Sequence, residues 1–553
     1  MVRNLTSLQD RKFDILVIGG GISGACIAWD ASLRGLKVAL IEKNDFGHGT
    51  SSATSKMIHG GLRYLSNFEF RVVRESLRER RHLEKIMPHL AFPLPFLLPV
   101  YKNSGTPKWM LRLGLFFYDI LSFDKNFLND PDKYLSNHKW LNKEETLALE
   151  PGLNSKDLKG AFYYYDVQNK FSERANVEFV LSAAEKGAIV ANYLEVTEFN
   201  TNEDNGKQRI EGVTVQDRLN EEKPFNISAN TVINATGPWA DTLIKSFSEQ
   251  KKSKVVRSKG IHLLFPKLIN KSALAFETKD RRHFFVIPWL NYTLIGTTDT
   301  SYEGDINKVR VSKAEVEEFL EQVNSYFPAN LTIENVLHAY SGIRPLAAQD
   351  EGTGGGTYNI SRKHELVDHG KKNKVEGLFS VFGGKWTTSR ALAEYALDII
   401  IKRMNLHALP CNTAKTQLSG DEIPERFTHW RDKKIAEKTE IYPVENATHL
   451  IEYYGTKCER LFKYMDENPK SKKMIARTNL YCFAQIEYAV KYEMAYKLSD
   501  FMMRRSLIGN TGIPAHETTL EVAEHMGSLL GWSQTEREKQ IEEYFEQNRI
   551  TGL

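Results

Sequence analysis

The stretch FDILVIGGGISG, residues 13–24, decides how the chain begins to fold. Its apolar residues 15–18 indicate a buried strand. Gly19, Gly21 and Gly24 follow at the spacing of a dinucleotide-binding turn, with a helical pattern after them. The first glycine permits a tight turn, the second lets the backbone approach a pyrophosphate, and the third lets the helix pack closely on the strand. Free N–H groups at the helix start would bind the anion without a positive side chain.

The strand that follows this helix ends on an acidic residue. KVALIEK, residues 37–43, places Glu42 18 residues after Gly24. This is close to the spacing of about 20 residues at which a carboxylate accepts the hydroxyl groups of a nucleotide ribose. Such a carboxylate would repel a 2′-phosphate. The pattern predicts a dinucleotide site, and by itself it does not separate NAD from FAD.

The length and composition of the chain limit the classes of protein to which it can belong. A chain of 553 residues predicts two to four domains at roughly 100 to 200 residues each. With 41% hydrophobic and 26% charged residues it has an ordinary globular composition, and its net charge of +4 argues against general nucleic-acid binding. The four cysteines form no CxxC pair and no cluster with histidines, which predicts a reducing compartment and no metal site. The first residues contain no apolar signal segment, so we expect a cytoplasmic protein.

Two segments have helical patterns, one rich in charged residues and the other with an apolar face. FRVVRESLRERRHLEKI, residues 70–86, predicts a helix with a solvated Arg/Glu face. KWMLRLGLFFYDILSF, residues 108–123, predicts a helix with one strongly apolar face. We favour a core-facing position for this second helix and keep an interfacial membrane anchor as the alternative, because no apolar run is long enough to span a bilayer.

Further along the chain, two more small-residue turns follow apolar strands. ANTVINATGPWA, residues 229–240, runs a strand into Thr236 and Gly237, and GLFSVFGGKWTTSR, residues 377–390, runs one into a double glycine and a long helix. Between them, GIHLLFP, HFFVIPWL and YTLIGTTD predict an antiparallel sheet, and the region after residue 410 is charged and helical. We therefore predict an α/β protein with the following division: an N-terminal tail of residues 1–12; a discontinuous nucleotide-binding domain of 13–90, 160–250 and 340–405; a substrate-binding domain of 91–159 and 251–339; and a helical domain of 415–553.

Seven strings together resemble one family. GGGISG, TSSATSKMIHGGLRYL, NATGPWA, GTTD, YSGIRPL, FGGKWTT and LSDFMMRRS are similar to the motifs of the FAD-dependent glycerol-3-phosphate dehydrogenases, in the D-amino-acid-oxidase-like flavoprotein superfamily, and they occur in the same order. The resemblance implies a Rossmann-like FAD-binding domain of the glutathione-reductase/D-amino-acid-oxidase type, interleaved with an antiparallel-sheet substrate domain and followed by an all-helical C-terminal domain. It also implies FAD as the cofactor. No cysteine lies in these loops, so we expect the FAD to be non-covalent.

The resemblance assigns cofactor contacts across the chain. It implies that the pyrophosphate lies on the glycine turn, that Glu42 holds the adenosine ribose, and that the last helix start faces the isoalloxazine. The expected FAD-binding residues are Gly19, Gly20, Gly21, Gly24, Glu42, Lys43, Thr50, Ser51, Ser52, Ser55, Lys56, His59, Gly60, Gly61, Thr236, Gly237, Asp299, Gly384, Lys385 and Thr387. Among these, Asp299 is expected to act as a structural hydrogen-bond acceptor.

The reaction implied by the resemblance is oxidation of sn-glycerol 3-phosphate at C2 to dihydroxyacetone phosphate, with hydride transfer to flavin N5. Arg63 and Arg344 are the carried-over phosphate clamp, because a guanidinium fork matches phosphate oxygens, and Lys385 is a third member. His262 is the expected proton acceptor, because the pKa of imidazole suits proton transfer near neutral pH. These four are the catalytic candidates. Two further substrate-binding candidates are Arg362 and Tyr64, the latter explained equally well by packing.

Two departures and the electron acceptor complete the expectations. Phe-Ser-Glu at 171–173 replaces an acidic pair common in relatives, and Trp386 stands where a smaller aliphatic residue is common. We expect a quinone as acceptor and a peripheral position on the cytoplasmic face of the inner membrane. An oxidase that reduces oxygen to hydrogen peroxide is the alternative, and another amine or hydroxy-acid oxidase or an RNA-modifying flavoprotein is more remote. A homodimer is expected.

Overall fold

The structure is a computed structural model that describes residues 1–204, 207–220, 223–245, 255–278, 282–347, 364–372, 375–423, 426–512 and 514–552. Within these residues the strands are β1 (Lys12–Ile18), β2 (Val38–Ile41), β3 (Met57–Ile58), β4 (Ala91–Tyr101), β5 (Lys139–Leu141), β6 (Leu158–Asn169), β7 (Ile189–Ala191), β8 (Leu194–Asp204), β9 (Lys207–Asp217), β10 (Phe225–Asn234), β11 (Val255–Pro266), β12 (Ala273–Glu277), β13 (His283–Trp289), β14 (Tyr292–Gly296), β15 (Thr300–Ser301), β16 (His338–Ala347), β17 (Glu365–Asp368), β18 (Val375–Glu376) and β19 (Leu378–Phe382).

After α1, which precedes β1, the helices fall into two groups, one between the strands and one after them. They are α1 (Leu5–Gln9), α2 (Ile22–Leu33), α3 (Phe70–Ile86), α4 (Lys108–Leu121), α5 (Lys143–Leu149), α6 (Ser172–Glu185), α7 (Ala240–Lys245), α8 (Lys313–Asn324), α9 (His369–Lys372), α10 (Ser389–Met404), α11 (Phe427–Lys438), α12 (Val444–Tyr454), α13 (Cys458–Glu467), α14 (Phe483–Glu493), α15 (Leu498–Asp500), α16 (His516–Leu530) and α17 (Gln534–Asn548).

The first sheet carries the nucleotide-binding turn. Its order is β17-β19-β10-β1-β2-β7, with β8, β9 and β18 added through β9, and β1 pairs in parallel with both β2 and β10. The central strands are buried, and on one side they contact α2, against which α6 and α10 pack. This arrangement brings the ends of β1, β10 and β19, each followed by a predicted small-residue turn, to one edge of the sheet.

The second sheet has the order β15-β11-β14-β13-β12-β4-β6-β3, with β16 beside β11 and β5 beside β6. Its pairs are antiparallel except for β4 with β12, which run parallel. Both β6 and β16 lie in this sheet, although residues 160–169 and 340–347 were assigned to the nucleotide-binding domain from sequence. Those two boundaries were wrong because a strand leading into a nucleotide-domain element looks the same in sequence whichever sheet it joins.

The region after residue 411 is helical, as predicted, and ion pairs bind it to the first sheet's helices. Arg174 on α6 pairs with Glu493 on α14 at 2.5 Å. His89 lies between two carboxylates: its Nδ1 is 2.5 Å from Asp421 and its Nε2 is 3.3 Å from Glu178. Burial alone would lower the pKa of His89, but the two carboxylates raise it to about 10. Because they face opposite ring nitrogens, this arrangement fits a doubly paired imidazolium rather than a metal chelate.

Helix α3 has the predicted bounds, but only part of its charged face is solvated: Arg71, Arg78 and Lys85 are exposed, and other charged residues are buried. Glu79 is buried and pairs with Arg390 on α10, and Arg80 is buried against Asp166. The prediction was wrong for the buried charges because a pattern of charges along a helix does not reveal opposite charges that fold against it from distant parts of the chain. These pairs anchor α3 beside the glycine-rich loop that precedes it.

The favoured core-facing position of α4 is also wrong for most of this helix. Only Leu115 and Tyr118 of its residues are buried. Trp109 and Phe116 are 64% and 52% exposed, and Phe123 just beyond the helix is 68% exposed. Periodicity identified the apolar face, but it could not tell whether protein covers that face. In the described part of the chain, no helix has the length and apolar character needed to cross a bilayer.

Candidate functional site

A cavity of about 1780 Å³ lies between the two sheets. Its lining comes from the turn after β1, the loop after β2, the segment 59–70, β11, β13 and β16, and the turn before α10. The first sheet therefore supplies backbone turns, and the second supplies side chains that project from its strands. The site is a junction of sequence-remote elements.

The glycine turn is formed by close backbone contact. Gly19 has a φ of +108°, and a Cβ there would lie 2.7 Å from the carbonyl oxygen of Ala235. A Cβ on Gly24 would lie 1.9 Å from the carbonyl oxygen of Gly19, so any side chain at 24 would break the turn. Gly19 and Gly21 line the cavity, whereas Gly24 lies behind it in the helix–strand contact.

Glu42 connects the second strand to this turn. Its carboxylate accepts hydrogen bonds from the backbone N–H of Gly20, at 2.7 Å, and of Asn44, at 2.9 Å. Burial raises its pKa, and the two backbone donors act in the opposite direction. Because carboxylate oxygens have further lone pairs and Glu42 lines the cavity, the group can also accept ribose hydroxyls.

The loop after β2 packs on the turn and then enters the cavity. Ser51 accepts a hydrogen bond from the N–H of Ile22 at the start of α2, at 2.9 Å. Thr50 donates to the carbonyl of Ile343 on β16, at 2.5 Å, which links the two sheets. The ammonium of Lys56 is turned away from the cavity and pairs with buried Glu173. The Phe-Ser-Glu departure at 171–173 thus supplies the partner of this lysine.

The glycine-rich segment 59–61 is held from behind. The N–H of Gly60 contacts the hydroxyl of Tyr118, at 2.9 Å, and the carboxylate of Asp166, at 3.2 Å. Tyr118 also donates to Asp166 at 2.8 Å. His59 faces the cavity, where burial and the nearby cations lower its pKa to about 3. Its ring is therefore neutral at physiological pH.

Two cations converge on one aromatic ring. Arg63 lies 4.9 Å from the ring centre of Tyr64 and donates to its hydroxyl at 3.1 Å. The Nζ of Lys385 lies 3.9 Å from the same ring centre and donates to Ser76 at 3.2 Å. All three side chains line the cavity, although they come from opposite ends of the nucleotide-binding region. Two positive charges on one wall make it suitable for an anion.

His262 lies on β11 with its ring on the cavity wall. Its Nε2 is 2.8 Å from the hydroxyl of Ser55, and its ring stacks on Tyr340, with ring centres 4.9 Å apart. The register pairs His262 directly with Tyr340 across β11 and β16. Burial, Arg344 and Lys56 hold the pKa of His262 well below 6.5, so the ring is neutral.

Arg344 projects from β16 opposite Ser258. Its guanidinium donates to Ser258 at 3.2 Å, and to the Thr297 hydroxyl and the Thr298 carbonyl at 2.8 and 3.0 Å. Asp299 accepts a hydrogen bond from Ser258 at 2.7 Å and lies 3.8 Å from the guanidinium, consistent with the structural role expected for it. These contacts fix the guanidinium group of Arg344 at the cavity wall.

The structure thus brings most of the expected residues to one cavity. Those lining it are Gly19, Gly21, Glu42, Lys43, Thr50, Ser51, Ser55, His59, Gly61, Arg63, Tyr64, Thr236, Gly237, His262, Asp299, Arg344, Gly384, Lys385 and Thr387. Gly20, Gly24, Ser52, Lys56 and Gly60 lie behind its surface, and Arg362 lies outside the described residues. Sequence reasoning missed His283 on the cavity wall and the supporting roles of Ser258, Thr297 and Tyr118. His283, Ser258 and Tyr118 are single residues in ordinary strands or a helix, and no local signal identified them. Thr297 lies in the GTTD string, which was noted as a motif without a role for this residue.

The residues present fit an FAD. The glycine turn leaves space that a Cβ would fill, the Glu42 carboxylate lines the cavity beside that turn, and the turns after β1, β10 and β19 also line the cavity. Lys385 and Arg63 line the same cavity, and positive charge there could stabilise negative charge on a reduced flavin.

Comparisons with known proteins agree with this site. Residues 14–399 match the FAD dependent oxidoreductase family, and residues 411–537 match the C-terminal domain of alpha-glycerophosphate oxidase. The chain is 36% identical to a glycerol-3-phosphate dehydrogenase of Synechocystis sp., over 99% of both chains, and 33% identical to an aerobic glycerol-3-phosphate dehydrogenase of Staphylococcus haemolyticus, over 96% of this chain and 93% of that one.

The fold is also similar to solved structures. The glycerol-3-phosphate dehydrogenase from Bacillus halodurans complexed with FAD superposes with a TM-score of 0.78 and 28% identity, over 98% of this chain and 96% of that one. The expected fold class and the FAD cofactor are thereby confirmed. By its fold, its cofactor site and its full-length relatives, the chain belongs to the FAD-dependent glycerol-3-phosphate dehydrogenase family.

Proposed function

We propose that this protein oxidises sn-glycerol 3-phosphate at C2 to dihydroxyacetone phosphate. The observation that carries the proposal is the meeting of three cations, Arg63, Arg344 and Lys385, with a buried neutral imidazole on one cavity. The names of the full-length relatives support the same substrate. A structural role for FAD alone would leave this set of groups unexplained.

The cations would bind the phosphate. Arg63 and Lys385 both lie within 5 Å of the Tyr64 ring centre, and Arg344 is fixed by its bonds to Ser258 and Thr297. A dianion bound by two guanidinium forks and an ammonium is held by charge-assisted hydrogen bonds, which orient it as well as attract it. The phosphate therefore positions C2, and substrates without it should react poorly.

His262 would accept the hydroxyl proton. Burial and the nearby cations keep the ring neutral but also lower its pKa, and the negative charge of the bound phosphate would offset those cations and raise the pKa again. The contacts with Ser55 and Tyr340 fix the orientation of the ring. Bound FAD supplies the acceptor for the hydride that leaves C2. As the proton moves to His262 and the hydride departs, the C2–O bond becomes a carbonyl. The bound phosphate does not change.

Anaerobic titration tests the substrate assignment. We expect sn-glycerol 3-phosphate to bleach the flavin absorbance of the purified holoprotein, and glycerol at equal concentration to leave it unchanged. The comparison is matched because glycerol keeps the oxidised carbon and lacks only the phosphate. No bleaching by the phosphate ester would contradict the proposal. Equal bleaching by both compounds would contradict the proposed role of the cations in binding the substrate phosphate.

We further propose that the electrons pass to a membrane quinone rather than to oxygen. Trp109, Met110, Leu113 and Phe117 of α4 are exposed apolar residues that also line the cavity. An apolar acceptor could therefore reach the site along the surface of this helix. An acceptor as small and soluble as oxygen would need no such surface.

The same face would dock the protein on the membrane surface. Phe68 is 81% exposed and connects through the ring of Phe70 to Phe117 of α4. Lys108 and Arg112 add positive charge at one end of the helix. A helix with an apolar face and basic flanks lies in the headgroup region of an anionic bilayer. We place this contact at the cytoplasmic face of the inner membrane.

Vesicles and paired acceptors test both statements. The wild-type protein should co-float with vesicles containing anionic lipid, and Trp109→Ser with Phe116→Ser should abolish flotation without changing turnover with a soluble dye. A matched double variant, Leu409→Ser with Ile441→Ser, changes exposed apolar residues elsewhere and should still float. Reoxidation that is faster with air than with a soluble quinone analogue would favour the oxidase alternative.

A further inference from the structure

The loop after β2 forms much of the adenosine side of the cavity. We call residues 42–51 the ribose-side loop. The residues of this loop that line the cavity include Glu42, Lys43, Asn44 and His48. The loop rests on the glycine turn through the N–H of Gly47, which donates to the carbonyl of Gly20 at 3.0 Å. Its position therefore sets where the ribose carboxylate stands relative to the pyrophosphate turn.

Asp45 lies in the middle of this loop and points the other way. It is 1% exposed and does not line the cavity. Its carboxylate accepts a forked pair from Arg505, at 2.7 and 2.9 Å, and a further bond from Arg504. Both arginines belong to the C-terminal helical region, about 460 residues away in the chain.

The two arginines are fixed from behind. They stand on a π-helical turn, Phe501–Arg505. Arg504 donates to Asp500 at 2.8 Å, and Arg505 donates to the carbonyl of Glu493 at 2.7 Å. Asp500 in turn accepts a hydrogen bond from the hydroxyl of Tyr193 at 2.6 Å. The backbone N–H of Tyr193 donates to the carbonyl of Asn44, in the loop, at 3.1 Å. The loop is thus held by both a side chain and a backbone contact from the same cluster.

Charge balance supports a permanent contact. Two carboxylates, Asp45 and Asp500, face two guanidinium groups in a buried space. Burial alone would raise the pKa of Asp45, but Arg505 and Arg504 hold it at about 2. Asp45 therefore stays ionised across the physiological range, and its pairs with Arg504 and Arg505 hold the loop there.

We propose that the C-terminal domain is a positioning element for FAD: Arg504 and Arg505, acting through Asp45, hold the ribose-side loop in the conformation that binds the adenosine half of the cofactor. These residues do not touch FAD. They act by keeping Glu42 and the backbone of residues 43–51 against the glycine turn. The inference depends on FAD binding and not on the identity of the substrate or acceptor.

The alternative is that the cluster only attaches the C-terminal domain. Both explanations predict lower thermal stability when the cluster is broken, and only positioning predicts weaker FAD binding. A matched control is available in Glu493, whose side chain is equally buried, pairs with Arg174 between the same two regions and does not contact the loop. Arg505 contacts only its backbone carbonyl, which Glu493→Gln keeps. Asp45→Asn and Glu493→Gln each replace a carboxylate by its amide.

The test measures release of FAD from the full-length holoproteins. Each variant is diluted to nanomolar concentration, and the dissociation constant is obtained from the rise in flavin fluorescence at a temperature well below its unfolding midpoint. We expect Asp45→Asn to raise the dissociation constant at least tenfold above that of Glu493→Gln. A smaller difference would overturn the proposal, whatever the loss of thermal stability.

A second variant keeps the test decisive if Asp45→Asn fails to fold. Arg505→Lys retains the charge and removes the forked pair, and we expect it to raise the dissociation constant at least threefold above that of Glu493→Gln. Hydrogen exchange of the same holoproteins should be faster in residues 42–51 of Arg505→Lys. An unchanged dissociation constant in this variant would also overturn the proposal.

Discussion

Replacement of Arg344 tests the phosphate clamp most directly. The Arg344 guanidinium is fixed by Ser258, Thr297 and Thr298 at the cavity wall, and Arg344→Ala leaves these supports in place. A charge-assisted hydrogen bond is worth about 1.5 to 3 kcal/mol. At about 1.4 kcal/mol per factor of ten, kcat/KM for glycerol 3-phosphate should fall by about 10- to 150-fold.

Steady-state rates with a soluble dye provide the assay, with FAD content measured from the flavin spectrum. Arg344→Lys, which keeps the charge and loses the fork, should fall between wild type and Arg344→Ala. Arg310→Ala is the matched control, because Arg310 belongs to the same region of the chain and pairs with Glu546 at the surface, away from the cavity. It removes the same charge and should leave kcat/KM unchanged.

The same variant has a second effect on His262. The positive charge of Arg344 is one of the causes that lower the pKa of His262, after burial. Its removal should raise that pKa, so that His262 becomes protonated at higher pH and the acidic limb of the kcat/KM profile moves upward. A variant with full FAD content and kcat/KM within twofold of wild type would refute the reasoning.

Three further changes give measurable outcomes. Gly24→Ala places a methyl group on the carbonyl of Gly19 and should give a colourless protein, and a normal flavin spectrum would contradict the turn geometry. Lys56→Met leaves Glu173 buried without its partner and should lower the free energy of unfolding by about 3 to 5 kcal/mol, measured as a lower urea midpoint than that of Arg310→Ala. His89 has its pKa raised from 6.5 to about 10, so its contribution to stability is complete below pH 6.5 and is lost as pH rises through 10. The difference in urea midpoint between wild type and His89→Gln should therefore shrink from pH 6.5 to pH 10, and a constant difference would contradict the ion pairs.

The sequence was informative where one local geometry permits few residue types. The turn at Gly19 and Gly24 leaves no space for a side chain, so the glycines and the strand before them identify the nucleotide site without any tertiary information. The antiparallel strands around residues 260–296 could be predicted for a similar reason, since alternation of apolar residues reports burial on one face. The identity of the cofactor and the cationic residues expected to bind the substrate phosphate were inferred from the family resemblance.

The sequence was uninformative where the partner of a residue is remote. Glu79 looked like part of a solvated helix face, but it is buried against Arg390, 311 residues later. Asp45 and Arg505 carry no local pattern that joins them. The exposed face of α4 had the same periodicity as a core helix, because periodicity reports that a face is apolar and not what covers it.

The arrangement of cationic and apolar residues around the cavity also bears on the electron acceptor. The phosphate ester is a dianion that stays in water, whereas a respiratory quinone stays in the bilayer, so the enzyme we propose must let one cavity exchange with both phases. The cations Arg63, Arg344 and Lys385 form the polar part of that cavity, and α4 with Trp109 and Phe117 forms its apolar margin. If docking on the membrane buries this margin, the polar part must remain open to water for substrate. Addition of vesicles should therefore raise turnover with a long-chain quinone and leave KM for glycerol 3-phosphate unchanged. A rise in that KM would mean that the bilayer covers the substrate's entrance.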